Sequence, residues 1–157
     1  MGATISVSTE INAAPDQVFA MVSDLNRMGE WSPEAQDIEW LHGATSAVPG
    51  ATFKGSNRHG SKSWTTAGKV TEVEPARRFA FRITAVGMKI AEWRYDLEPT
   101  HAGCTVTETW IDQRGALAKM LGKLATGVED REAHNRDTMA ATLAALKSAA
   151  EAVPPPA

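Results

Sequence analysis

Apolar residues recur at helical spacing in the last third of the chain, and polar residues interrupt them midway. At 100° per residue, one helix face carries Leu117, Met120, Leu121, Leu124, Val128, Met139, Thr142 and Leu146. Arg131 and Asn135 lie on the same stripe. Since an unpaired buried charge costs several kcal/mol, we expect a polar group or water to meet them. The pattern predicts one long helix over residues 115–150.

Two glycines, Gly122 and Gly127, interrupt the first half of this predicted helix. Each costs up to about 1 kcal/mol relative to alanine in a helix interior. They indicate either a kink or the close approach of another group. The alternative is a loose first turn or two, with the secure helix beginning near Val128.

The start of the chain predicts one strand and two short helices. Residues 4–11 alternate between polar and apolar side chains, as in a half-buried strand. Pro15 suits the first turn of a helix, and a second helical turn is expected over residues 26–31. Pro33 ends it, because proline moves the preceding residue out of helical geometry.

Between these helices and the long one, the chain is rich in strand signals separated by short turns. The predicted strands lie near residues 36–41, 51–57, 62–74, 77–85, 88–99 and 103–112. Short links favour antiparallel pairing, so we expect an α+β protein with a strongly bent antiparallel sheet around the last helix. Residues 1–150 form one predicted domain, and the proline-rich tail 151–157 is predicted to be disordered.

Composition and charge exclude several classes of function. The 16 basic and 19 acidic residues are interspersed and give a net charge of -3, which argues against nucleic-acid binding. No secretory signal and no apolar run of about 18 residues is visible, so we expect a cytoplasmic protein without membrane insertion. The histidines lack ligand spacing with a carboxylate, and no dinucleotide motif follows a strand, so neither metal nor cofactor is expected.

Four segments in order resemble a known superfamily. They are I-N-A-A-P-D-Q-V-F-A-M-V-S-D-L-N-R-M-G-E-W-S-P (11–33), V-T-E-V-E-P (70–75), W-R-Y-D-L-E-P (93–99) and T-V-T-E-T-W (105–110). Together they resemble the START-like SRPBCC superfamily, in particular its polyketide cyclase/dehydrase branch, over roughly residues 4–149. Each motif alone is weak, whereas the ordered set is fairly specific for the fold.

This resemblance implies a helix-grip fold, in which a curved seven-stranded sheet grips the C-terminal helix and leaves a hydrophobic cavity between them. Superfamily members include lipid carriers, hormone receptors, polyketide cyclases and chaperone activators, so the fold does not determine the function. A small hydrophobic molecule, aromatic, polyketide-like or lipid-like, is the ligand that the resemblance favours. A cyclase/dehydrase-type enzyme and a protein-interaction module are the alternatives. The oligomeric state stays open, with a homodimer among the possibilities.

Strand alternation and the helix stripe predict which residues would line such a cavity. We expect ligand contacts from Trp31, Phe53, Asn57, Trp64, Phe81, Trp93, Tyr95, Glu108, Trp110, Leu121, Leu124, Val128, Arg131 and Asn135. Trp31 is expected at the rim. In the last strand, a slip of one residue would exchange the two faces, and we favour the face of Val106 as the inner one.

Among the polar residues, Glu108, Tyr95 and Arg131 are candidates for catalysis. An apolar pocket would raise the pKa of Glu108 and suit it to acid–base chemistry. Arg131 could instead neutralise Glu108 in a buried ion pair, the reading that we favour over a ligand-orienting role.

Overall fold

The computed structural model describes residues 2–153, which form seven strands, three α-helices and one 3-10 helix. The strands are β1 Thr4–Ile11, β2 Ala35–Trp40, β3 Thr52–His59, β4 Lys62–Glu74, β5 Arg78–Ala85, β6 Met88–Pro99 and β7 Cys104–Asp112. The helices are α1 Pro15–Ser23, the 3-10 helix Leu25–Glu30, α2 Ala116–Thr126 and α3 Arg131–Ala152. All seven predicted strands are present within two residues of their expected bounds.

The strands form one antiparallel sheet in the order β1-β7-β6-β5-β4-β3-β2. Hairpins join each strand to the next from β2 to β7, and β1 then pairs with β7. Register shifts interrupt the β2–β3, β4–β5 and β5–β6 ladders, and such irregularities bend a sheet. Helix α3 packs on β1 and β7, and α1 packs on β5, β6 and α3. The arrangement confirms the helix-grip fold.

The two short helices follow from local sequence. Pro15 occupies the first turn of α1, where its missing N–H is not needed. Val18 and Val22 lie one turn apart on the side of α1 that faces the sheet, and both are completely buried. The second helical turn expected before Pro33 is the 3-10 helix Leu25–Glu30.

The prediction of a single long helix is wrong, because the chain divides it into α2 and α3. Gly127 ends α2 in the left-handed conformation, with φ 71°, and its N–H donates to the carbonyl of Lys123. Asp130 then begins α3 by accepting a hydrogen bond from the Ala133 N–H. The two caps satisfy the hydrogen-bonding groups at the helix ends. The non-helical link between them interrupts the helical periodicity, so the apolar stripe does not continue from α2 into α3. The alternative of a secure helix from near Val128 is closer to the structure.

The inner face of β7 is that of Val106, as expected. Val106, Glu108 and Trp110 are each at most 3% exposed. Val106 belongs to the main hydrophobic core, and Trp110 to a second cluster around Met139.

Helix α3 extends beyond the predicted domain end. Glu151 lies in its last turn, where its carboxylate accepts hydrogen bonds from the Asn12 N–H at 2.9 Å and Lys147 Nζ at 2.6 Å. The predicted tail therefore began too early at residue 151, and residues 154–157 lie outside the described residues.

Within residues 2–153, no helix has both the length and the apolar character that crossing a bilayer requires.

Candidate functional site

A cavity of about 290 Å³ lies between the inner face of the sheet and helices α2 and α3. Strands β2 to β7 supply most of its wall, which is mainly apolar. This volume is near the lower end of the range of ligand pockets, which begins at about 300 Å³. The space suits a small, largely hydrophobic molecule.

The structure places eleven of the fourteen predicted ligand contacts on the cavity wall. They are Phe53, Asn57, Trp64, Phe81, Trp93, Tyr95, Glu108, Trp110, Leu121, Arg131 and Asn135. Their position at the wall is a structural finding, and their contact with a ligand stays a prediction.

Three other predicted contacts lie elsewhere. Trp31 is 5% exposed in the core, and the Arg27 guanidinium lies 4.9 Å from the centre of its ring. Leu124 is 69% exposed on the outer side of α2, and Val128 is buried in the link between α2 and α3. The helix break accounts for Val128, which lies between the two helices. Leu124 is exposed because α2 turns Leu121, Gly122 and Ala125 towards the cavity instead.

The expected ion pair between Arg131 and Glu108 is also wrong. Arg131 Nη1 lies 2.9 Å from both carboxylate oxygens of Glu34 and 3.3 Å from Asn135 Oδ1. Glu34 Oε2 also lies 2.8 Å from His134 Nε2. Arg131 begins α3 and therefore meets the loop that precedes β2, rather than the carboxyl group on β7.

Glu34 and Arg114 are charged wall residues that the sequence reasoning missed. Glu34 follows Pro33 directly, but nothing local marks it as the partner of a residue 97 positions away. Arg114 forms two-point hydrogen bonds with Asp112, with Nε to Oδ1 at 2.8 Å and Nη2 to Oδ2 at 2.9 Å. Burial alone would raise the pKa of Asp112, but the hydrogen bonds from Arg114 outweigh it and lower that pKa.

Glu108 and Tyr95 form a buried polar pair deep in the apolar wall. They lie opposite each other on β7 and β6, and both are at most 3% exposed. The Tyr95 hydroxyl donates to Glu108 Oε1 at 3.0 Å. Within residues 2–153, no group accepts from or donates to Glu108 Oε2.

This environment sets the protonation of the pair. Burial raises the pKa of Glu108 from 4.5 to about 8, although the hydrogen bond from Tyr95 acts in the opposite direction. Burial likewise raises the pKa of Tyr95 well above its ordinary value, and the Glu108 charge and hydrogen bond add to the effect. Glu108 is therefore mostly a neutral acid at pH 7, able to donate a hydrogen bond.

Helix α2 covers one side of the cavity with little packing of its own. Within α2 only Ala118 and Thr126 are buried, whereas Leu117, Met120, Leu121 and Leu124 are 41–69% exposed. Leu121, Gly122 and Ala125 also contribute to the cavity wall. Because segments with few buried contacts open locally at a lower free-energy cost, we expect α2 to open more readily than α3.

Solved structures share this architecture. The polyketide cyclase-like protein Cgl2372 from Corynebacterium glutamicum is 30% identical, with a TM-score of 0.58 over 94% of this chain and 90% of that chain. The Aha1 dimer from Colwellia psychrerythraea is 19% identical, with a TM-score of 0.68 over 96% and 97%. The di-domain aromatase/cyclase BexL from the BE-7585A biosynthetic pathway is 23% identical, with a TM-score of 0.69 over 97% of this chain and 51% of that chain.

The sequence has no significant match among curated proteins. A family model described as polyketide cyclase/dehydrase and lipid transport matches residues 2–151, nearly the whole chain. The chain belongs to this polyketide cyclase/dehydrase and lipid transport family.

Proposed function

We propose that this protein binds a small hydrophobic molecule in the cavity between its sheet and helices α2 and α3. The observation that carries the proposal is the cavity itself, about 290 Å³ of mainly apolar space inside the fold. Packed cores leave few voids larger than a water molecule, so a space of this size favours a ligand over simple packing. The family description, which includes lipid transport, supports the same class of function.

Helix α2 is the proposed entrance. Its inner side contributes Leu121, Gly122 and Ala125 to the wall, and only two of its residues are buried. Its displacement would widen access to the cavity without breaking the sheet or the contacts of α3 with β1.

A cyclase/dehydrase-type reaction is the second candidate, and the buried Glu108–Tyr95 pair favours it. A neutral carboxylic acid in an apolar cavity can polarise a ligand carbonyl or protonate a leaving oxygen. BexL is named as an aromatase/cyclase, but at 23% identity the likeness shows the fold alone. Turnover that is abolished in Glu108→Gln, with ligand affinity kept, would distinguish an enzyme from a carrier.

Binding can be tested with 2-acetylnaphthalene and 2-ethylnaphthalene by equilibrium dialysis. We expect Thr138→Phe, which places a ring in the cavity, to weaken binding by roughly tenfold or more. The matched control is Ala141→Phe, one turn further on the exposed side of α3, which should change affinity by less than about twofold. If neither naphthalene binds the wild type, or if both variants have the same effect, the proposal is wrong.

A further inference from the structure

We infer that the cavity selects uncharged molecules that carry an oxygen acceptor, such as a ketone, and that this oxygen accepts a hydrogen bond from the Glu108 carboxyl group. The inference rests on the proposed function and names its ligand class. It follows from one polar atom without a partner, from the direction of the neighbouring hydrogen bond and from the pairing of the wall charges.

Glu108 Oε2 is the polar atom that marks the docking point. Of the buried side-chain oxygens and nitrogens without a partner in residues 2–153, only this one belongs to a cavity-wall residue. A buried polar group without a hydrogen bond is unfavourable, so a ligand that supplies the partner gains affinity.

The hydrogen bond from Tyr95 determines whether Glu108 Oε2 donates a hydrogen bond to the ligand or accepts one from it. Tyr95 donates to Oε1, so that oxygen already accepts. In the neutral acid the proton then lies on Oε2, which donates towards the ligand. The ligand atom at this point must be an acceptor, which a carbonyl oxygen satisfies and a hydrocarbon does not.

The groups that face Glu108 from the packed elements keep it neutral and free to donate. Val7 lies opposite it on β1, and Tyr95 lies opposite it on β6. Of the α3 residues that line the cavity together with Glu108, Thr138 and Thr142 donate their hydroxyls to carbonyls of their own helix. The charged wall residues are Glu34, Arg114 and Arg131, and none of them forms an ion pair with Glu108 within residues 2–153. The raised pKa of Glu108 agrees with this arrangement.

Charge pairing excludes ionic ligands. Each wall arginine already holds a carboxylate, Arg131 with Glu34 at 2.9 Å and Arg114 with Asp112 at 2.8 Å. On the wall formed by residues 2–153, an anionic ligand would find no unpaired cation, and a cationic ligand would meet a neutral acid. Desolvation of an unpaired charge is costly, so both would bind weakly.

Three probes with the same two-ring frame test the inference: 2-acetylnaphthalene, 2-ethylnaphthalene and 2-naphthoate. By equilibrium dialysis at pH 6.5, we expect the ketone to bind about tenfold more tightly than the hydrocarbon, which lacks only the oxygen acceptor. We expect the carboxylate to bind at least about tenfold more weakly than the ketone. Above pH 8 the preference for the ketone should fall as Glu108 loses its proton.

Two variants separate the hydrogen bond from the titration. Glu108→Gln keeps an N–H donor, so it should retain the ketone preference and lose its pH dependence. Glu108→Met removes the donor and should bind ketone and hydrocarbon equally. Circular dichroism checks that both variants fold, and the wild-type probe series gives a result even if one of them does not.

The outcomes distinguish this inference from the function beneath it. Equal binding of ketone and hydrocarbon by the wild type, or a ketone preference retained in Glu108→Met, overturns the role of Glu108 while leaving cavity binding intact. Tightest binding of 2-naphthoate overturns the selection of neutral ligands. If no probe binds at all, the proposed function itself fails.

Discussion

Replacing Glu108 by glutamine should stabilise the protein, by an amount that grows with pH. The substitution keeps the size and hydrogen-bonding capacity of the side chain and removes its charge. Because the folded protein buries this carboxyl group, its pKa is about 8 rather than the 4.5 of an exposed glutamate. Ionisation of Glu108 therefore opposes folding in the wild type and is absent from the variant.

The pH window and the magnitude follow from these two pKa values. Below pH 4.5 the group is protonated in both the folded and the unfolded chain, and its contribution to stability is fully present. Between pH 4.5 and about 8 the unfolded chain releases the proton and the folded chain keeps it, so stability falls as pH rises. The whole interval corresponds to roughly 5 kcal/mol, of which about 3 kcal/mol is lost by pH 7. Above about pH 8 both states are ionised and the loss is complete.

Urea unfolding, followed by tryptophan fluorescence between pH 5 and pH 9, measures this effect. We expect the difference in unfolding free energy, variant minus wild type, to grow by about 2.5 kcal/mol from pH 5 to pH 7 and to level off above pH 8. Glu98→Gln removes an exposed carboxylate from the same sheet and controls for the change in net charge. A difference for Glu108→Gln that is flat with pH, or that shrinks as pH rises, would refute the account of a buried neutral acid.

Two further predictions concern the helix break and the ion pair beside the cavity. Gly122→Ala should stabilise α2 by up to about 1 kcal/mol and slow its amide hydrogen exchange, because an added Cβ meets open space. Gly127→Ala should instead destabilise the α2 C-terminus by about 1–2 kcal/mol, because its φ of 71° suits glycine; equal effects of the two changes would contradict this reading. Glu34→Gln should lower the free energy of unfolding by about 1–3 kcal/mol, because it leaves the largely buried Arg131 without its counter-charge. Glu30→Gln breaks an exposed ion pair and should lower the free energy of unfolding by less. If chemical unfolding shows a larger loss of stability for Glu30→Gln than for Glu34→Gln, the role given to the Glu34 ion pair is wrong.

The sheet could be predicted from sequence because its signals are local. Alternation over residues 4–11 and turns such as Val48-Pro49-Gly50 determine strand and turn positions without knowledge of distant residues. Alternation also places Tyr95 on an inner face, where the structure has it, whereas for Glu108 alternation leaves two faces open and the structure selects the inner one.

The helix break was missed because two opposing local signals had to be weighed. The apolar stripe favours one continuous helix, whereas Gly127 and Asp130 supply a C-cap and an N-cap three residues apart. Gly127 indicates a possible interruption, but periodicity alone does not show that both caps form.

The partner of Arg131 depends on packing rather than on pattern. Glu34 and Glu108 were both available in sequence, and only the position of Arg131 at the start of α3 selects Glu34. Glu108 Oε2, which has no hydrogen-bond partner within residues 2–153, has the same origin, because packing rather than local pattern leaves it without one. Such contacts can be identified only from the three-dimensional structure.

The position of a bound probe tests the central claim most directly. Three methionines, Met28, Met88 and Met139, lie on the cavity wall, whereas Met120 is exposed on the outer side of α2. With methionine methyl groups labelled with ¹³C, intermolecular NOEs can be measured between them and the ring protons of 2-acetylnaphthalene. We predict NOEs to the wall methionines, Met139 among them, and none to Met120. NOEs to Met120 alone, or saturable binding without any NOE to the wall, would contradict a ligand inside the cavity.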